Sequence, residues 1–273
     1  MRRRLPLLAA LACLALAAPA GAARTPAGFT YESACQGFGS FFAADAVTVR
    51  RLGAIPTRFH LAAEQSGRAY LLIASWVCDF TVGGRTDRGA SYSHVSALLD
   101  EPAAGLYDIW QFTDSRAFAR PPQRLGVFTA HLRGLQVRFG DATPTVAANA
   151  VVPWHRSPYT MTGTLTATTP TLPLVESCRP EEPALDARGC FPSDHWFNGR
   201  RGVAHATHAN CDLGVATGIV TLHTRPTTPL AQMLGTAEVT QPGAVLRFRG
   251  RVHHDLADRY PDGTTPRLEC PAP

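Results

Sequence analysis

The chain has 273 residues, 45% of them apolar and 8% aromatic, which is enough to bury a core and excludes a disordered chain. The net charge is +5, but three of the 26 basic residues are Arg2, Arg3 and Arg4; without them 23 stand against 21 acidic residues, which is not the footprint of a nucleic-acid binder. All the basic residues are Arg, so a Schiff-base lysine, a lysine general base and a phosphate-loop lysine are excluded.

The arginines at 2–4 lead into an apolar run over 5–18 and the small-residue site Ala20-Gly21-Ala22. That order reads as a signal peptide cleaved near Ala22, and hence as a secreted protein. The run is shorter than the ~20 residues a membrane-spanning helix needs, and no other segment is apolar for long enough. Ala10-Leu11-Ala12 is the wrong order for a lipobox before Cys13, so no lipid anchor is expected. Ile occurs only at Ile55, Ile73, Ile109 and Ile219, and Asn only at Asn149, Asn198 and Asn210, a bias of GC-rich, actinobacterial-type genomes.

Beyond the leader stand Cys35, Cys78, Cys178, Cys190, Cys211 and Cys270. An even set outside the cytoplasm reads as up to three disulfides, with fifteen possible pairings. Cys178 and Cys190 flank a Pro-rich loop and form the natural local pair. The others join as Cys35 with Cys78 and Cys211 with Cys270, or in a crossed arrangement.

The first long strand is expected over 69–82. It alternates Tyr70, Leu72, Ala74, Trp76, Cys78 and Phe80 with Leu71, Ile73, Ser75, Val77 and Asp79. Both faces are apolar for most of its length, so it should be central and buried on both sides. Asp79 breaks the pattern and should lie at a cavity mouth or against an arginine. Shorter strands follow over 106–112, 127–133, 135–139 and 161–169, and later over 202–209, 215–224 and 244–254. Two short helices are expected, over 114–125, interrupted by Pro121-Pro122, and over 229–234. The Thr- and Pro-rich stretch 168–192 reads as a long inserted loop stapled by Cys178 and Cys190. The fold class is all-β or β-dominated: an antiparallel barrel or two packed sheets, in a single domain over 23–273.

The succession Leu52-Gly53-Ala54-Ile55-Pro56, Trp76-Val77-Cys78-Asp79, Tyr107-Asp108-Ile109-Trp110 and Leu125-Gly126 resembles the acetoacetate decarboxylase-like β-barrel superfamily. The later runs over 196–202 and 228–235 are similar to secreted actinobacterial proteins. The resemblance spans 45–255 and implies a ligand cavity inside a barrel. Decarboxylases of that superfamily work through a Schiff-base lysine, which is missing here, so that activity does not carry over.

Gly-x-Ser-x-Gly, His-Glu-x-x-His, Walker-type and Gly-x-Gly-x-x-Gly patterns are absent from the sequence. Ser75, Ser91, Ser93 and Ser96 read as ordinary strand or turn serines. His205, His208 and Cys211 would suit a soft metal on a helix, but the surrounding alternation is that of a strand, where 205 and 208 diverge. His253-His254-Asp255 has the same geometry, with His195 or His223 as remote additions. No metal and no cofactor is expected.

Arg247, Arg249, Arg251 and His253 share one face of a strand, opposite Leu246, Phe248 and Val252. They form either a solvated outer face or a cationic strip for an anionic ligand. Trp76, Tyr107, Trp110, Phe112 and Phe128 fall on successive strands as core or cavity wall.

The reading is a secreted, monomeric, non-enzymatic binder of a small apolar or anionic ligand. Its candidate contacts are Trp76, Asp79, Tyr107, Trp110, Arg247, Arg249 and Arg251. The alternative is a cofactor-free extracellular hydrolase or lyase using His with Asp or Glu and Arg. An enzyme should hold His in hydrogen-bond reach of an acid inside a cleft. A binder should show an apolar pocket lined by Trp76 and Trp110.

Overall fold

A computed structural model of the chain describes residues 29–100, 105–124, 126–140, 145–167, 177–178, 191–199, 202–255 and 268–269. The leader, most of the loop 168–192, Cys190 and Cys270 lie outside them, as do the side chains of Cys178, Cys211, Arg247, Arg249 and Arg251.

In chain order the elements are β1 (Phe29–Asp45), α1 (Ala46–Gly53), β2 (Arg68–Val82), β3 (Arg85–Leu99), β4 (Gly105–Thr113), α2 (Arg116–Arg124), β5 (Thr129–His131), β6 (Gln136–Phe139) and β7 (Thr145–Val152). They continue with β8 (Tyr159–Ala167), β9 (Ser177–Cys178), β10 (Phe191–Gly199), β11 (Gly202–Thr224), α3 (Pro229–Leu234), β12 (Glu238–Asp255) and β13 (Leu268–Glu269). The β-dominated class expected from the alternation is what the chain adopts. The strands expected over 202–209 and 215–224 are one strand, β11, with an irregularity between Cys211 and Gly214.

α1 is a helix beyond the two expected. Its Val47-Thr48-Val49 run has strand composition, but Asp45 caps it, its Oδ1 accepting the Thr48 N–H at 2.7 Å. Ala54 closes the other end in the left-handed conformation, at φ 49°.

The strand order β4-β3-β2-β1-β12-β11 is closed by β10, which pairs with β11 on one side and, in parallel, with β4 on the other. The result is a ring of seven strands, the first of the two architectures expected from sequence, although its β10–β4 closure is parallel rather than antiparallel. β11 and β12 are longer than the ring. The 216–224 half of β11 pairs instead with β8, which extends through β7 to β6, and β6 lies over β2 and β3.

The same strands therefore serve two cores. Along β1 the buried positions are Tyr31, Ser33, Cys35 and Gly37, then Phe38, Ser40, Phe42 and Ala44. Because alternate residues face opposite sides of a strand, the buried face changes over at Gly37–Phe38. Before the switch, Ala34 on the other face is exposed and the buried row lines the ring; after it, Phe41 and Ala43 are exposed. β2 switches likewise, from Leu71 and Ile73 to Trp76, Cys78 and Phe80.

The ring core holds Tyr31, Cys35, Trp76, Phe80 and Phe197, capped by Phe118 of α2. The larger second core holds Phe38, Phe42, Leu71, Met161, Leu165 and Leu222. Glycine permits the tight curl at the switch. A Cβ on Gly37 would sit 1.8 Å from the Trp76 indole, and one on Gly39 would sit 2.5 Å from the Ile73 carbonyl oxygen.

Cys35 and Cys78 stand directly opposite each other across β1 and β2 and form a disulfide, with Cα atoms 4.2 Å apart. No helix among the described residues is long and apolar enough to cross a membrane.

Candidate functional site

On β3 the residues Tyr92, His94 and Ser96 face the ring interior, while Ser93, Val95 and Ala97 face the second core. In the β3–β4 register Val95 pairs with Trp110 and Ser96 with Asp108, so the ladder skips Ile109. This bulge turns Asp108 and Gln111, three residues apart, to the same side. Their neighbours Tyr107, Ile109, Trp110 and Phe112 belong to the second core. β10, pairing His195 with Leu106 and Phe197 with Asp108, adds a second imidazole.

These side chains converge on the Asp108 carboxylate, which is buried. It accepts a short hydrogen bond from the Ser96 hydroxyl on Oδ1 and one from Gln111 Nε2 on Oδ2 at 2.8 Å. His195 Nδ1 lies 3.1 Å from Oδ1 and 3.0 Å from Oδ2. His94 Nδ1 is 2.7 Å from Ser96 Oγ and 3.8 Å from the carboxylate. Thr129 Oγ1 donates to Gln111 Oε1 at 3.0 Å, which orients that amide with its nitrogen toward Asp108.

The network fixes both tautomers. An ionised carboxylate only accepts, so His195 must donate from Nδ1. Ser96 spends its one proton on Asp108, so it accepts from His94 Nδ1. In the neutral ring each imidazole therefore carries its lone pair on Nε2.

Burial works to raise the Asp108 carboxyl, but the charge and hydrogen bond of His195, with those of His94, outweigh it and hold the group well below its ordinary 3.8. Burial, reinforced by the Asp108 charge, pushes the Tyr31 and Tyr92 hydroxyls up and keeps them protonated. Tyr92 stacks on His94 at 5.6 Å between ring centroids, and Trp76 does so at 6.4 Å.

A groove of about 730 Å³ is lined by Phe41, Leu72, Ala74, Trp76, Ile219 and Pro242 among others, and meets the cluster through Trp76, which stacks on His94. Four of its lining residues, Ala74, Gly39, Ala244 and Thr217, belong to a transverse row of the sheet that runs on beyond the groove. Gln111 pairs with His94, His94 with Ala74, Ala74 with Gly39, Gly39 with Ala244, and Ala244 with Thr217. Directly opposed residues share a face, so His94 and Gln111 of the cluster continue the row of Ala74, Gly39, Ala244 and Thr217, while Asp108 and Ser96 fall in the next row with Leu72.

The residues nominated from sequence separate. Trp76 is buried, lines the groove and touches the cluster. Asp79 is exposed on the outer face and accepts from the Gly89 N–H at 2.8 Å, rather than meeting a cavity or an arginine. Tyr107 and Trp110 lie on the other face of the sheet: the Tyr107 hydroxyl donates to Asn198 Oδ1 at 2.6 Å, and Trp110 packs on Trp154 at 5.0 Å. Phe128 is 42% exposed rather than core. Arg247, Arg249 and Arg251 stand opposite Gln36, Ala34 and Glu32 in register. Ser96 is not an ordinary strand serine, since it joins His94 to Asp108; Ser93 is also bonded, through its hydroxyl, to Ser75 and Tyr159, each at 2.7 Å. Among the described residues no group of three His, Cys, Asp or Glu is placed to hold a metal ion.

No protein-family model and no curated protein matches the sequence. Solved structures match the fold. One described as structural studies of acetoacetate decarboxylase has a TM-score of 0.52 at 11% identity, covering 84% of this chain and 88% of that one. The enduracididine biosynthesis enzyme MppR, in complex with a condensation product of pyruvate and imidazole 4-carboxaldehyde, has a TM-score of 0.48 at 14% identity over 86% of this chain and 92% of that one. An acetoacetate decarboxylase-like enzyme from Sphingomonas wittichii RW1 has a TM-score of 0.47 at 11% identity over 83% and 90%. The first of these shows a likeness in fold to acetoacetate decarboxylase, in line with the resemblance drawn from the sequence.

Proposed function

We propose that the chain is an exported, cofactor-independent acid–base enzyme of the lyase or isomerase class, acting on a small organic substrate in the ring. The observation that supports this most is one buried carboxylate orienting two imidazoles, so that each carries its lone pair on Nε2. In that arrangement an imidazole takes a proton from the substrate, and the Asp108 charge stabilises the imidazolium that forms. The proton then returns to a different atom, or to a leaving group. Gln111 and Ser96 hold the carboxylate in place, and the buried tyrosines keep the surroundings free of further negative charge.

A second reading, a non-enzymatic binder of a small apolar ligand, is favoured by the apolar lining of the groove.

The test is hydrogen–deuterium exchange. Butanone is incubated with the folded protein in heavy water, and loss of its C–H signals is followed by proton NMR. Catalysed exchange is expected, falling by about a hundredfold or more in His94→Gln and Asp108→Asn, the range that general acid–base groups contribute. No exchange above solvent, or equal exchange by the variants, would defeat the enzyme reading and leave the binder.

A further inference from the structure

We infer that the site takes a chain-like apolar molecule with a neutral carbonyl head: the chain lies across four strands in the groove and the head sits at His94. The inference rests on the acid–base reading only for the position of the head.

The floor explains the shape. Where the row crosses β2, β1 and β12 it carries Ala74, Gly39 and Ala244, so side-chain volume is withheld along a line rather than at a point. From β2 to β11 the row spans three strand spacings of ~4.8 Å, or about 14 Å. In the next row of the same face, Phe41 pairs with Leu72 and Ile219 with Pro242; Phe41 and Ile219 are 49% and 50% exposed, large apolar side chains left uncovered along one side of the groove. Ser40 does not offer a polar anchor there, because its hydroxyl is bonded to the Pro242 carbonyl at 2.5 Å. Thr217 and Gln241 also line the groove toward β11, while the row's titratable group, His94, stands with Gln111 at the other end.

The head is neutral because Asp108 is already a buried carboxylate 3.8 Å from His94, and a second carboxylate beside it would be repelled. A carbonyl compound also presents the acidic C–H that an Nε2 lone pair can take.

The experiment is calorimetric titration of the folded protein with straight-chain methyl ketones from butanone to decanone, and with the matching carboxylates. Within the ketones Kd should fall about fourfold per added methylene, the fold-change matching ~0.8 kcal/mol per buried CH₂, and then level off when the groove is full. Ketones should bind at least tenfold tighter than carboxylates of equal length. Ala244→Leu, which fills the floor, should remove the gain for the long members. Phe41→Ser, at an exposed position, should shrink that gain without burdening the fold. A flat dependence on length, tighter carboxylates, or unchanged slopes in both variants would overturn the inference. Length-dependent binding without proton exchange would sustain it and remove the acid–base reading; exchange without length dependence would do the reverse.

Discussion

Replacing Asp108 with Asn tests the cluster in two independent ways. The side chain keeps its shape but loses its charge, and one acceptor oxygen becomes an N–H donor. If the carbonyl oxygen keeps the Ser96 side, the new amide nitrogen confronts Gln111 Nε2 and His195 Nδ1, which lie 2.8 and 3.0 Å from Oδ2 in the native chain. His195 can relieve its half of the conflict by accepting on Nδ1 and moving its proton to Nε2, which converts a base into a donor. Gln111 cannot, because Thr129 holds its amide orientation. One buried donor left unpaired, together with hydrogen bonds that lose their charged acceptor, should cost ~3 kcal/mol. Urea unfolding measures the stability, and nitrogen-15 NMR of the imidazoles reads the tautomers. The sign with pH is equally defined. The native Asp108 pKa is depressed, so its contribution is fully present above about pH 4 and is lost as pH falls through the native value. Asp108→Asn should therefore cost most near neutrality and little in strong acid. A variant as stable as the parent at pH 7, with His195 still protonated on Nδ1, would refute the account of the network.

Removing the bridge with Cys35→Ala and Cys78→Ala should cost ~4 kcal/mol, from the entropy of a 43-residue loop, as a shift in the urea midpoint. Trp76→Ala should cost ~3–5 kcal/mol by the same measurement, since the indole packs in the ring core as well as lining the groove; a near-neutral result would mean that it serves the ligand alone. Ser93→Ala leaves the buried Tyr159 hydroxyl short of a partner and should cost ~1–3 kcal/mol, with no effect on proton exchange because it lies on the far face of β3. Thiol titration of the native protein should find Cys35 and Cys78 unreactive until it is reduced.

β2 was legible from sequence because apolar residues on both faces of a long strand admit few other readings, and its central place follows. β1 was not, although it is 17 residues long, because its alternation changes phase at Gly37–Phe38 and neither half is conspicuous alone. The site was hidden for a related reason. Strict alternation puts Asp108 on the same side as Trp110 and opposite Gln111, and only the bulge at Ile109 reverses this. His195 reaches Asp108 across 87 residues of sequence, through a parallel pairing that no local pattern announces. Two signals were nonetheless present: His94 and Ser96 two apart within a strand-like run, and a lone Asp within the apolar stretch 106–112. A polar side chain on an otherwise apolar strand has to find a partner when buried, and here the partners are one another.

The changeover of the buried face along β1 and β2 has a consequence for amide hydrogen exchange. One continuous strand joins a core packed with large apolar side chains to a ring that encloses polar groups and adjoins a groove. Local opening free energy follows the density of buried apolar contacts, so protection should step within each strand rather than between strands. In β1 the amides near Phe42 should exchange only on global unfolding, and those near Ser33 through smaller openings of the ring. A molecule seated in the groove would then slow exchange at the ring end and leave the other end unchanged, giving a readout of occupancy within a single strand that requires neither a known reaction nor a labelled ligand.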